Sequence, residues 1–127
     1  MSKQTLAVLP QTFCIHSLDV DQPIPAEILQ SPLYFVGKTH DELSVVAPQD
    51  INVSSANETD HDWRVLEVLG PLQLSMVGIM AEIASVLADA NVSIFVVSTF
   101  ETDFFLVKTQ DLANATQALH QNGYDVV

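Results

Sequence analysis

The chain repeats itself at a spacing of about sixty residues, and that repeat limits its fold more than any single motif does. "LAVL" at residues 6–9 matches "LEVL" at residues 66–69. "YFVGKTHDELSVVAPQD", starting at Tyr34, lines up with "FVVSTFETDFFLVKTQD", starting at Phe95, at an offset of sixty-one. In that register Glu42 matches Asp103 and Asp50 matches Asp111. Both segments read as strand, polar tip, strand and helix start. Two matches at nearly one offset imply an internal duplication, so the chain is expected to hold two copies of one small unit.

The second copy is the more regular. "WRVLEVLG" alternates as a strand does, and Gly70-Pro71 breaks it. Ser75 is placed to cap a helix whose apolar residues fall at Met76, Ile79, Met80, Ile83, Val86, Leu87 and Ala90. Asn91 stands where a left-handed residue would end that helix. "VSIFVVST" reads as a central strand because its apolar content is nearly continuous. "DFFLVK" is its hairpin partner. Asp111 is then expected to cap a helix carrying Leu112, Ala115 and Leu119, Gly123 to stop it, and "YDVV" to form a last strand. The order β-α-β-β-α-β is that of a split βαβ, ferredoxin-like unit.

The first copy is eroded. Pro23, Pro25 and Pro32 leave room only for a short helix near residues 26–30. Residues 48–62, polar and acidic, read as a helical turn and a linker. The expected division is an incomplete domain over residues 1–60 and a complete one over residues 61–127.

Composition narrows the function classes. Four cations stand against sixteen anions, a net charge of -12. That balance argues against nucleic acid and anionic membranes as partners. The lone cysteine, Cys14, lies in an apolar strand and reads as a small core residue. No apolar run has transmembrane length, and "MSKQT" is followed by no signal-peptide core, so a cytoplasmic location is expected. His16 falls in a strand, half-buried, His40 at a turn, His61 in the linker and His120 near a helix end. There is no HxxxH or CxxC spacing, and the four glycines are isolated. Neither a metal site, a phosphate loop nor a catalytic triad is therefore expected, and no cofactor.

The longer motifs resemble a known family. "LPQTFCIHSLD", "HDELSVVAP", "RVLEVLGPL", the block over residues 70–108 and "DLANATQALHQNGY" together resemble the small tandem ACT-domain proteins. They are similar to the ACT repeats of cytosolic arginine sensors and of aspartate kinase regulatory regions. The resemblance implies an α+β chain of tandem ferredoxin-like ACT domains, the first degenerate and the second complete. It also implies a non-catalytic regulatory module that binds an amino acid and assembles as a homodimer, acting on a separate protein effector.

Carried over by position, the ligand would meet the helix start at Ser75, Val77, Gly78 and Ile79, and the strand end at Ser98, Thr99 and Phe100, with Asp103 facing a basic group. Leu74 and Val77 stand where the family would have Phe and Thr, and Phe100 where Tyr is frequent. General chemistry suits a zwitterion here. Unpaired N–H groups at a helix start attract a carboxylate, and a carboxylate at the turn attracts an ammonium group. Two other readings stay open: Gly78 serving close packing, and Asp103 bonding its own turn. The alternative function is a ligand-free oligomerisation or adaptor protein.

Overall fold

The computed structural model describes residues 3–69 and 77–127. Its elements are β1 (Thr5–Leu18), α1 (Ala26–Leu29), β2 (Phe35–Lys38), β3 (Leu43–Pro48), β4 (Glu58–Val68), α2 (Ile79–Asp89), β5 (Phe95–Ser98), β6 (Asp103–Lys108), a 3-10 turn (Thr109–Asp111), α3 (Leu112–Gln121) and β7 (Asp125–Val126). The fold is α+β, with antiparallel pairing in both hairpins and few helices. Two compact units form: a larger one from Met1–Pro10 with Arg64–Val127, and a smaller one from Gln11–Trp63. Each contains part of β1 and part of β4.

In the larger unit the strand order is β5-β6-β4-β1, and β7 pairs parallel with β1 at Thr5↔Asp125. The helical spacing that begins at Ile79 buries Ile83 and Leu87 on one face of α2, and α3 buries Ala115 and Leu119. These pack with Leu6, Leu66, Phe105 and Tyr124 in one core. Each fully buried aliphatic side chain contributes about 1.5–3 kcal/mol. Both helices end alike. Asn91 at φ 61 and Gly123 at φ 91 take the left-handed conformation. The next N–H then reaches back, Val92 to Leu87 and Tyr124 to Leu119, each at 3.0 Å. The Asn91 N–H also bonds the Ala88 carbonyl and the Gly123 N–H the His120 carbonyl, and the two bonds at each end satisfy carbonyls the helix leaves open.

In the smaller unit the order is β2-β3-β1-β4. Cys14, His16 and Leu18 lie opposite Ala47, Val45 and Leu43 across the β1–β3 ladder. Leu18, Leu43, Val45 and Ala47 join Ile28 of α1 and Ile51 in a second core. Between β3 and β4 the chain makes only turns, so α1 is the one helix here among the described residues.

Several elements differ from expectation. β5 ends the strand order of its unit instead of lying centrally, and it is half-buried, whereas β6 is buried over Phe104, Phe105, Leu106 and Val107. Continuous apolar content does not separate these two hairpin strands; pairing on both sides does. β4 begins at Glu58, inside the expected linker. "ETDHD" is polar, but it alternates in period two, and ladder pairing beside β1 outweighs weak strand propensity. The strand read at residues 6–9 and the apolar strand around Cys14 are one: β1 runs through Pro10, exposed where the strand passes from one unit to the other. α2 begins at Ile79 with Gly78 at its cap position, so Val77 precedes it; Met76 and the expected cap Ser75 lie outside the described residues. Asp111 holds the cap position of α3, but its side chain makes no capping bond, because a 3-10 turn leads into the helix.

The hairpins also revise the repeat register. β2 and β5 begin and end sixty residues apart, as do β3 and β6. Phe35↔Val46 pairs as Phe95↔Leu106 does, and Lys38↔Leu43 as Ser98↔Asp103. The structural counterpart of Asp103 is therefore Leu43, not Glu42. A one-residue slip matters because it moves every side chain to the other face. Replacing Leu119 with Ala should destabilise the protein by about 2–5 kcal/mol, read as a lower urea midpoint with unchanged slope.

Candidate functional site

The β5–β6 hairpin is tied by its own polar groups. The Thr99 N–H donates to the Thr102 carbonyl at 2.8 Å, and the Thr102 N–H to Thr99 Oγ1 at 3.3 Å. Ser98 Oγ donates to Asp103 Oδ1 at 2.6 Å. Thr102 Oγ1 donates to the Val68 carbonyl, which fixes the tip over the end of β4. The β2–β3 hairpin repeats the backbone closure, with the Thr39 N–H on the Glu42 carbonyl at 2.9 Å. Its acid and serine differ in place: Ser44 donates to Glu42 within the tip. Asp103 instead stands where the other hairpin puts Leu43, which is buried in its core. A half-buried carboxylate thus occupies a position that the fold can fill with an aliphatic group.

Val68 leads through Leu69 toward the start of α2. Gly78, at the cap position, adopts φ 83, ψ 2, and among the described residues no side chain caps the helix. Among the described residues a Cβ at Gly78 would meet nothing within 4 Å, and the left-handed conformation of its backbone is what calls for glycine. The Glu82 N–H bonds the Gly78 carbonyl at 2.9 Å. Val77 is 93 % exposed and Phe100 81 % exposed, while Ile79 packs partly into the core. Of the expected site residues, then, Thr99 and Asp103 lie in the hairpin that Thr102 ties to β4, and Gly78 and Ile79 open the helix that follows β4. Ser75 lies outside the described residues.

The smaller unit holds a second polar constellation that sequence reasoning did not assemble. His16 is 4 % exposed, not half-buried, and His61 lies in β4 instead of a linker. His16 Nδ1 is 2.9 Å from Thr59 Oγ1. Its Nε2 is buried without a hydrogen-bond partner. Burial, and secondarily His61, pushes the His16 pKa below its ordinary value. Cys14 Sγ donates to Gln49 Oε1 at 3.4 Å, and Gln49 also accepts the Asp62 N–H. The available signal was the period-two pattern: Cys14 and His16 on one strand, Thr59 and His61 on the other. Among the described residues, no group of three or more His, Cys, Asp or Glu is placed to hold a metal ion. No described helix is long and apolar enough to cross a membrane.

Residues 58–121, from the start of β4 to the end of α3, match the family model of the ACT domain. No curated protein matches at a significant level. Among solved structures, one from Agrobacterium tumefaciens is similar at a TM-score of 0.91 and 28% identity, covering 100% of this chain and 94% of that one. The regulatory subunit of aspartate kinase from Thermus flavus is similar at 0.69 and 13% identity, with 95% and 98% covered. Aspartate kinase from Clostridium acetobutylicum, described as an allosteric enzyme, gives 0.68 and 15% identity, with 89% of this chain and 33% of that one covered. The last two likenesses concern the fold.

Gly78→Ala should cost about 1–2 kcal/mol by denaturant unfolding, because Ala resists the positive φ. His16 should make stability fall in acid. Above the ordinary value of 6.5 it is neutral folded and unfolded; below it the unfolded chain takes the proton first, so stability drops until the folded pKa is reached. Urea unfolding between pH 7.5 and 5.5 should show a smaller loss for His16→Gln than for the parent protein.

Proposed function

Because this chain belongs to the ACT-domain family, we propose that it is a non-catalytic regulatory module that binds a small zwitterion, an amino acid, in its larger unit. The observation that carries this reading is Asp103. It places a half-buried carboxylate where the matching hairpin has Leu43, and Ser98 holds one of its oxygens. The other oxygen can meet an ammonium or guanidinium group. At the start of α2, backbone N–H groups that no described side chain caps and the positive helix end suit the ligand's carboxylate. Thr99 and Phe100 would line the ligand from the hairpin, and Val77, Gly78, Ile79 and Ser75 from the helix start.

The proposal extends to organisation. The sixty-residue register of the hairpins supports two ferredoxin-like repeats of unequal completeness. A cytoplasmic homodimer would present four such repeats, and ligand binding would change its affinity for a protein effector. The exposure of Val77 and Phe100 favours a second reading, an adaptor that docks a partner through this end of the larger unit without a ligand.

A thermal-shift and calorimetric screen of the twenty amino acids at millimolar concentration separates the two. The sensor reading expects at least one to bind, and Asp103→Asn to weaken a basic ligand about tenfold, roughly 1.4 kcal/mol. No response to any of them sinks it and leaves the adaptor.

A further inference from the structure

At the β5–β6 tip, Thr102 sends its hydroxyl out of the hairpin to the Val68 carbonyl at the end of β4. Val68 is buried, so its carbonyl needs a partner within the protein. That carbonyl and the Leu69 N–H belong to one peptide group, and the N–H meets the Thr5 carbonyl of β1 at 2.8 Å. A single peptide plane thus joins β1, the end of β4 and the hairpin tip.

The matching hairpin does without this tie. Its backbone closes the same way, with the Thr39 N–H on the Glu42 carbonyl at 2.9 Å and the Thr99 N–H on the Thr102 carbonyl at 2.8 Å, so Glu42 is the counterpart of Thr102. An ionised carboxylate has no proton to donate, and Glu42 accepts Ser44 Oγ at 2.7 Å within its own tip. The hairpin therefore closes without a side-chain link to the neighbouring strand. Where the link is made, the next residue is Asp103; where it is not, the next residue is Leu43. A donor at one position and a carboxylate at the next occur together in the larger unit. Ser98 holds Oδ1 of Asp103 from across the ladder at 2.6 Å, and Thr102 holds the preceding peptide against β4. Asp103 is fixed from both sides relative to the strand that leads to Gly78. A carboxylate already held in place loses little freedom when a cation arrives, so the ion pair it makes is stronger.

We propose that Thr102 is a positioning residue for the amino-acid site: it acts through Asp103, holding that carboxylate against the end of β4 where it meets the cationic group of a basic amino acid. This rests on the reading of the larger unit as a ligand site, and adds to it a residue that need not touch the ligand.

NMR titration of the full chain with lysine and with arginine, which reads millimolar affinities, tests it. The proteins compared are the parent, Thr102→Val, Thr102→Ser, Asp103→Asn and the double variant Thr102→Val with Asp103→Asn. Val keeps the β-branched shape and drops the hydroxyl, which suits the fold, and Ser keeps the donor. The parent should bind at least one of the two amino acids, and Thr102→Val should bind it about fivefold more weakly. Thr102→Ser should match the parent. Adding Thr102→Val to Asp103→Asn should cause no further loss, because the tie acts through that carboxylate. A threonine that only braces the fold would weaken binding equally with and without Asp103. That equal loss, an unchanged affinity in Thr102→Val, or a loss in Thr102→Ser as large as in Thr102→Val overturns this proposal alone. Binding of neither amino acid by the parent overturns the basic-ligand reading of the site and this proposal with it.

Discussion

β1 and β4 each serve both compact units, and the remaining elements are arranged around that sharing. In the larger unit the Leu69 N–H meets the Thr5 carbonyl at 2.8 Å and Arg64 donates to the Leu9 carbonyl at 2.9 Å. In the smaller unit His16 Nδ1 meets Thr59 Oγ1 at 2.9 Å. A strand that serves two cores must present an apolar face to each, and an interruption is tolerated where it changes over. Pro10, which has no N–H to offer a ladder, lies at that point of β1. Asp62, at φ 69 with its N–H taken by Gln49, lies near that point of β4.

Each unit then completes itself differently. The larger closes its core with two helices that end in the same bonding pattern. The smaller has one short helix and covers the rest with turns. Where helix is absent, polar side chains on β1 and β4 are left facing a pocket and not a packed apolar surface. His16 is the result: buried as deeply as its leucine neighbours, yet satisfied at only one nitrogen. The hairpin tip of the larger unit is the opposite case, since Ser98, Thr99 and Thr102 all have partners.

Much of this was legible in the sequence because it depends on local chemistry. The helical spacing after Gly78, the left-handed Asn91 and Gly123, and the three prolines around α1 each name a structure that forms. What was not legible depends on pairing. Strands β5 and β6 are equally apolar in sequence, and only the ladder says which is flanked on both sides. Residues 58–62 look like a linker until β1 lies beside them. The repeat was found from the sequence, but its second match was off by one residue, because a composition match tolerates a slip that a hydrogen-bond register forbids. For the site, residue types pointed to Gly78 and Asp103. The sequence did not show that Gly78 answers to backbone conformation, nor that Asp103 replaces a core leucine.

The pairing of Thr5 with Asp125 has a temporal side. The ladder between β1 and β7 closes a loop of nearly the whole chain, which makes it among the most non-local contacts the fold contains. During synthesis the opening residues of β1 must wait, with one strand edge unpaired, until α3 and β7 have been made. The residues from Gln11 onward face no such delay, since β1, β3 and the first part of β4 are available long before. The order in which the ribosome delivers the chain therefore favours the smaller unit, with its buried histidine, as the part that folds early.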